Sequence, residues 1–343
     1  MIRTVKYWAL AALVLLGACD KHDPKPVPIP TPLIKGADIS WVTEMESKGF
    51  KFYNADGQER ELTALMKEIG MNAVRLRVWV NPEGGWNGKA DVVKKAKRAQ
   101  ALGLRVMIDF HYSDSWADPG KQNVPAAWKG KDAAAMAEAV KAHTQEVLQA
   151  LKDEGVGVSW VQVGNEVTNG MLWESGKVAG TNPGQFISYF HAGYDAVKAV
   201  YPQAQVILHL DNGWKAETLN WFLSLMQGRS LRYDILGLSL YPSYWENNAY
   251  PDWQPKVRQF LANLPALHDS YGKPVMLVEF GMPASQPDKT KAALQQLFAD
   301  TAQYDWFQGI FYWEPEAEKS RNGYDYGAFS NGKPTAALDA FAD

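Results

Sequence analysis

Two glutamates of the 343-residue chain stand in matching places, each closing an apolar run. Glu166 ends Val161-Gln162-Val163-Gly164-Asn165-Glu166, and Glu279 ends Val275-Met276-Leu277-Val278-Glu279. A carboxyl pair of this kind suits glycoside hydrolysis. One group, held protonated, assists the leaving oxygen; the other, ionised, attacks the sugar or activates water. Strand-end glutamates also serve as ion-pair partners for unrelated cations, so the pair alone leaves both readings open.

The elements that would position them repeat along the chain. Short apolar runs read as buried strands at Ile34–Ser40, Ala73–Val80, Arg105–His111, Ser159–Glu166, Gln205–Leu210, Ile235–Leu240, Val275–Phe280 and Ile310–Trp313. Between them lie segments with apolar residues at three- and four-residue spacing, among them Glu59–Ile69, Asp91–Leu102, Asp132–Lys152, Phe186–Val200 and Lys289–Tyr304. Gly70, Gly103 and Gly155 follow the helical pattern as stop signals. Eight strands alternating with helices predict an α/β fold of one domain, a (β/α)₈ TIM barrel. An open doubly wound sheet is the rival, but strand one ends in Asp38-Ile39-Ser40-Trp41 rather than a glycine-rich phosphate turn.

In a barrel, function gathers where strands end. Those ends supply Asp38, Arg77, Trp79, Asp109, His111, Asn165, Glu166, His209, Asp211, Tyr241, Glu279, Trp313 and Glu314. Strands four and seven face each other across a barrel, so Glu166 and Glu279 are expected to converge over its mouth. Glu166 then needs a raised pKa, and Glu279 should stay ionised beside cations such as Arg77. Asp38 and Asp109 read as supporting partners, and His209 as catalytic or simply a satisfied core histidine. His111 and Tyr241 are placed to bond the reacting sugar or Glu279, or to pack. Trp41, Trp86, Trp116, Trp173, Trp245 and Trp313 fall at strand ends or in the loops after them. Indole rings there could stack on pyranose faces or belong to the core.

Longer stretches narrow the reading. GADIS (Gly36–Ser40), HYSDSWADPGKQNVPAAW (His111–Trp128) and GNEVTNGMLW (Gly164–Trp173) closely resemble the endo-β-1,4-galactanases of glycoside hydrolase family 53, over essentially all of the folded part. The resemblance implies Glu166 as general acid/base and Glu279 as nucleophile, cutting β-1,4-linked galactan internally with retention. The carboxyl groups should then lie about 5–5.5 Å apart rather than about 6.5–9.5 Å. It implies that Asn165 bonds the sugar 2-hydroxyl, and that Arg77, His111, Tyr241 and Asp118 serve the substrate site. Trp313 is expected under the reacting sugar, Trp116 nearby and Trp86 further along the non-reducing side. Other retaining β-1,4-glycanases of the same clan, such as mannanases or xylanases, and a non-catalytic glycan-binding protein remain the alternatives.

Some members of that family carry structural calcium in long loops after strands seven and eight. Here GMPASQPDKT (Gly281–Thr290) is short with one acidic residue, whereas Glu314–Asp325 holds several. No metal site is expected, structural calcium is disfavoured, and two-carboxylate catalysis requires no cofactor.

A net charge of −3 with both signs interspersed argues against nucleic-acid binding. Arg3 and Lys6, the apolar run Trp8–Leu16 and Leu16-Gly17-Ala18-Cys19 resemble a lipoprotein signal. Residues 1–18 are read as signal peptide, 19–33 as a proline-rich tether with lipidated Cys19, and 34–343 as the catalytic domain. Cys19 is the single cysteine, so disulfides and cysteine chemistry are excluded from the mature domain. The expected protein is a monomeric exported lipoprotein, attached to a membrane only through its lipid, on the outer membrane surface.

Overall fold

A computed structural model describes residues 33–178 and 183–342. The signal segment, Cys19 and the tether as far as Pro32 lie outside the described residues. Eight parallel strands form a closed ring: β1 (Ile34–Asp38), β2 (Ala73–Val78), β3 (Arg105–Phe110), β4 (Val158–Val163), β5 (Gln205–Leu210), β6 (Ile235–Leu240), β7 (Val275–Phe280) and β8 (Phe307–Trp313). Strand β1 pairs with both β2 and β8, which closes the (β/α)₈ barrel and removes the open-sheet alternative.

Side chains alternate across each strand, and the two faces have different partners. Val74, Leu76 and Val78 of β2 and Val106, Ile108 and Phe110 of β3 join the large core between strands and helices. Ile34, Ala73, Met107, Trp160, Ile207, Ile235, Met276 and Phe311 instead make an apolar cluster inside the barrel. Full burial of each Val, Leu or Ile contributes about 1.5–3 kcal/mol before chain entropy is subtracted. Two residues further along β2 to β5 the interior turns polar, with buried Arg75, Asp109, Gln162 and His209, and on β1 it does so four residues beyond Ile34, at buried Asp38. The apolar cluster is thus the floor on which the site is built.

The outer layer comprises α1 (Val42–Ser47), α2 (Leu62–Ile69), α3 (Lys89–Ala101), α4 (Ala133–Asp153), α5 (Pro183–Val200), α6 (Ala216–Gln227), α7 (Gln254–Tyr271) and α8 (Pro287–Thr301). The position of a helix after β8 is taken by a 3₁₀ segment, Ala336–Phe341, packed on α8 and α2. Glu59 and Arg60 differ from their expected helical state: they pair with Phe52 and Tyr53 in a small ribbon. Helix α2 starts later because the Glu61 carboxylate accepts from the amides of Thr63 and Ala64. Several strands also end earlier than their apolar runs suggest, so the mouth residues sit in turns. Strand β8 begins earlier, at Phe307, and passes through Gly309, where a Cβ would lie 2.2 Å from the Ile34 carbonyl oxygen. No helix among the described residues is long and apolar enough to cross a membrane.

Candidate active site

Strand β4 stops at Val163, and the following Gly164-Asn165-Glu166 turn aims the glutamate over the barrel. Gly164 has φ 88°, and a Cβ there would stand 2.6 Å from Val167 Cγ1, so the position demands glycine. Glu166 itself is left-handed, with φ 47° and ψ 54°. That conformation costs a non-glycine residue on the order of 1–2 kcal/mol, a strain of the kind that collects at functional sites. Across the barrel, Glu279 projects inward from β7. One oxygen from each glutamate and one ring nitrogen of His209 lie within 4.8 Å of one another.

Beneath the pair, Arg75 of β2 organises the buried layer. Its Nη2 donates to Glu279 Oε1 (2.8 Å), Asp109 Oδ2 (2.9 Å) and Asn165 Oδ1 (2.9 Å). Its Nη1 donates to Asp38 Oδ2 (2.7 Å) and its Nε to Gln162 Oε1 (2.8 Å). Burial opposes the guanidinium charge, but Asp109, Glu279 and Asp38 outweigh it and raise the pKa further. Tyr241 donates to Glu279 Oε2 at 2.9 Å, and burial, reinforced by Glu279, pushes its phenol well up, keeping it a donor.

The cation beside the nucleophile candidate is therefore Arg75, which corrects the sequence expectation of Arg77. Both side chains point inward because they are two residues apart, but Arg77 lies closer to the mouth. It pairs there with buried Glu314 and stacks against Trp116, Trp41 and Trp79 at 4.3, 5.0 and 5.2 Å from the ring centroids. Arg77 thus braces the aromatic wall.

Burial raises the pKa of both glutamates, and their charges couple them. For Glu166, the carboxylates of Glu279 and Asp211 add to the rise, while hydrogen bonding from Ser239 and the charge of Arg75 oppose it. For Glu279, Arg75 and the Tyr241 hydroxyl hold the rise back against Asp109 and Asp38. Glu166 is raised well above the usual carboxylate range and Glu279 to about 7, so a single proton on the pair favours Glu166, while Glu279 sits higher than the firmly ionised carboxylate expected from sequence. Burial lifting Glu279 as well was not foreseen from sequence.

Supporting residues lie close by. His111 Nε2 is 3.0 Å from Asp109 Oδ2, and its Nδ1 accepts from the Ala117 amide. Asp109 is lowered to about 2: burial works against ionisation, but Arg75 and His111 win. His209 is pushed well below its ordinary value by burial and then by Arg75. Asn165 is fixed by Arg75 on one side and by the Ala117 carbonyl, which accepts from its Nδ2 at 2.8 Å.

Trp41, Trp116 and Trp313 meet at centroid separations of 5.5–5.7 Å. The line continues through Tyr324, 4.7 Å from Trp313, and Tyr326 to Tyr244, which stacks on Tyr326 at 5.2 Å. Tyr324 and Tyr326 follow β8, and sequence reading missed them because only strand ends and tryptophans were weighed. Trp86 is half-buried after the Glu83–Gly85 turn and makes no ring contact with this cluster. Asp118 Oδ1 accepts from Gly120 N within its own turn. Trp173 donates to the Asn169 carbonyl, and Trp245 is an exposed ring set against Tyr250.

The Glu166–His209–Glu279 cluster has the donor types of a cation site. Both nitrogens of His209 are already engaged, however, Nδ1 with Gln162 and Nε2 with Ser239, and Arg75 supplies the positive charge at Glu279. The acidic loop after β8 also fits calcium poorly. Glu314 pairs with Arg77, Glu318 accepts from the Asn331 and Gly332 amides, and Asp325 pairs with Lys319. Burial and neighbouring Glu314 push Glu316 well up in pKa, so it favours the protonated form that binds calcium poorly.

Residues 34–341 match the profile described as "Glycosyl hydrolase family 53". The arabinogalactan endo-β-1,4-galactanase of Humicola insolens is 34% identical over 307 residues, covering 82% of this chain and 89% of that protein. The probable arabinogalactan endo-β-1,4-galactanase A of Neosartorya fischeri is 33% identical over 305 residues, covering 82% and 83%. Among solved structures, one from a study of two fungal β-1,4-galactanases superposes with a TM-score of 0.79 at 30% identity, covering 90% of this chain and 98% of that one. The family 53 catalytic domain of Ignisphaera aggregans gives 0.78 at 28%, covering 92% and 97%. By the span of that profile and the agreement of these relatives, the chain belongs to glycosyl hydrolase family 53.

Proposed function

We propose that the chain is an endo-acting, retaining β-1,4-galactanase that cleaves galactan and type I arabinogalactan by double displacement. The observation that carries the mechanism is the approach of Glu166 and Glu279 within 4.8 Å. One oxygen of each carboxyl lying this close fits the narrow spacing of retaining enzymes, about 5–5.5 Å between carboxyl groups, better than the about 6.5–9.5 Å of inverting ones. The galactan preference rests on the similarity to the named galactanases.

In the first step, the Glu279 carboxylate attacks the anomeric carbon while Glu166 gives its proton to the departing glycosidic oxygen. The C–O bond to the leaving sugar breaks, and a glycosyl ester forms on Glu279. In the second step, Glu166 takes a proton from water, whose oxygen attacks the same carbon and releases Glu279. Arg75 and Tyr241 hold the Glu279 oxygens and stabilise their charge. Asn165 takes the 2-hydroxyl and His111 the reacting sugar, with Trp313, Trp116 and Trp41 as the stacking wall. Neither step calls for a cofactor. Cys19 is the proposed lipid attachment point, tethering a monomeric enzyme to the outer membrane surface.

A reducing-end assay on galactan, mannan, xylan and cellulose tests this reading. Release from galactan is expected, with internal cuts giving a ladder of oligosaccharides. Activity on the other three without galactan would overturn the substrate assignment.

A further inference from the structure

Two loops that carry tryptophans at the barrel mouth are gripped from behind by one cation. Lys95 projects from the inner face of α3, where its neighbours Val92, Ala96 and Ala99 are buried and apolar. It is itself only 1% exposed, yet its ammonium, which offers three donors, has three acceptors. These are the Ser40 carbonyl oxygen (2.7 Å), Asn87 Oδ1 (2.6 Å) and Asp91 Oδ2 (2.9 Å). The first contact fixes the Ser40–Trp41 peptide group at both ends, because its N–H donates to Glu314 Oε2 at 3.2 Å. The second fixes the turn that carries Trp86. Gly88 N donates to the Gly85 carbonyl at 3.1 Å. The central pair, Trp86 (φ −64°, ψ 133°) and Asn87 (φ 60°), follows a type II turn. Asn87 is fully buried and anchors that turn. Its N–H donates to Asp91 Oδ2 at 2.8 Å, and its carbonyl accepts from Trp79 N at 2.9 Å.

We infer that Lys95 is a positioning residue for the sugar-stacking surface, its one buried ammonium fixing the backbone beneath Trp41 and beneath Trp86 together. The inference rests on the proposed reading of both rings as sugar platforms. An ammonium is costly to bury, and a buried ion pair adds little net stability over well-packed apolar groups. Helix packing alone therefore gives no reason for a lysine on this face. Trp41 belongs to the wall at the reacting sugar, 5.5 Å from both Trp116 and Trp313, and Trp86 stands further along the bound chain. Because one nitrogen holds both supports, the two rings keep a fixed separation. A galactan chain that spans them meets both without the loops having to order first.

The test is the ratio of KM on long galactan to KM on a short galacto-oligosaccharide, measured beside kcat for folded protein. Lys95→Met should raise that ratio by roughly three- to tenfold, the range for weakening one stacked ring, with a smaller effect on kcat. Asn87→Gly suits the left-handed backbone and removes only the side-chain acceptor, so it should raise the ratio in the same direction and serves if Lys95→Met does not fold. The Lys95→Met, Trp86→Ala double variant should go no further than Trp86→Ala alone, because residues acting through one another are not additive. A general loss of stability would not produce that pattern. If Lys95→Met, or Asn87→Gly in its place, keeps the wild-type ratio while Trp86→Ala raises it, Lys95 is a packing residue and the inference is overturned. A further rise in the double variant would overturn it as well, since Lys95 would then act elsewhere. A Trp86→Ala variant whose ratio does not move shows instead that this ring is no platform, which removes the reading beneath the inference.

Discussion

Arg75 and Glu279 meet at 2.8 Å inside the barrel, and the same guanidinium nitrogen reaches Asp109 and Asn165. A single side chain on β2 therefore links the proposed nucleophile to the residue preceding the proposed acid. Its removal would leave the charges of Asp38, Asp109 and Glu279 to be offset only by their other partners, Arg77, His111 and Tyr241.

Arg75→Met is expected to lower kcat on the order of 10²–10³-fold, the scale for losing a preorganised electrostatic contact. It should also destabilise the fold by about 3–5 kcal/mol, the cost of stranding buried charge. Arg77→Met should destabilise through Glu314 and the tryptophan wall while sparing more of kcat. Steady-state kinetics beside thermal melts check both, and an equal loss of kcat in the two variants would contradict the distinction.

Tyr241→Phe removes the donor to Glu279 Oε2. Because that hydrogen bond lowers the Glu279 pKa, its loss raises the pKa, and the low-pH limb of kcat/KM should move to higher pH by up to about one unit. A limb that stays in place would show that the phenol does not serve the ionised nucleophile.

His143 on α4 gives a prediction for stability rather than turnover. Burial lowers its pKa from 6.5 to about 4, so the unfolded chain binds the proton more readily than the folded one. The neutral ring's contribution is present in full above about pH 6.5 and is lost as pH falls towards 4, on the order of 3 kcal/mol in total. His143→Leu should flatten the stability curve in that window, as measured by urea unfolding at several pH values. An unchanged slope would contradict the assignment.

Trp313→Ala should cost galactan turnover at the level of kcat/KM, since the ring meets Trp41 and Trp116 in the aromatic wall. A loss of about tenfold or more corresponds to a stacked ring contributing roughly 1.4 kcal/mol or more. Trp86 lies outside that cluster, so Trp86→Ala should act through KM on long galactan and little on short oligosaccharides. Kinetics on substrates of graded length distinguish the two.

The glutamate pair was legible because each residue closes an apolar run, and opposed strands bring such ends together. The barrel followed from the same alternation. The choice between Arg75 and Arg77 was not legible: the two-residue period puts both inside, and depth decides which reaches β7. Glu166 lies beyond its strand in a left-handed turn, and only Gly164 hinted that the chain bends there. Tyr324 and Tyr326 escaped notice because the path of the β8 loop is set by tertiary contacts rather than periodicity. Helix α7 carries Pro265 in its interior, which interrupts the apolar spacing that marked helices such as α4 and α5.

The most direct test of the carboxylate pair is mass spectrometry of the protein after incubation with a 2-deoxy-2-fluoro-β-galactosyl fluoride, whose slowed second step accumulates the covalent intermediate. Peptide mapping is expected to find one galactosyl adduct, on Glu279. An adduct on a different residue, or full turnover of the probe with inversion and no adduct, would contradict the double-displacement account.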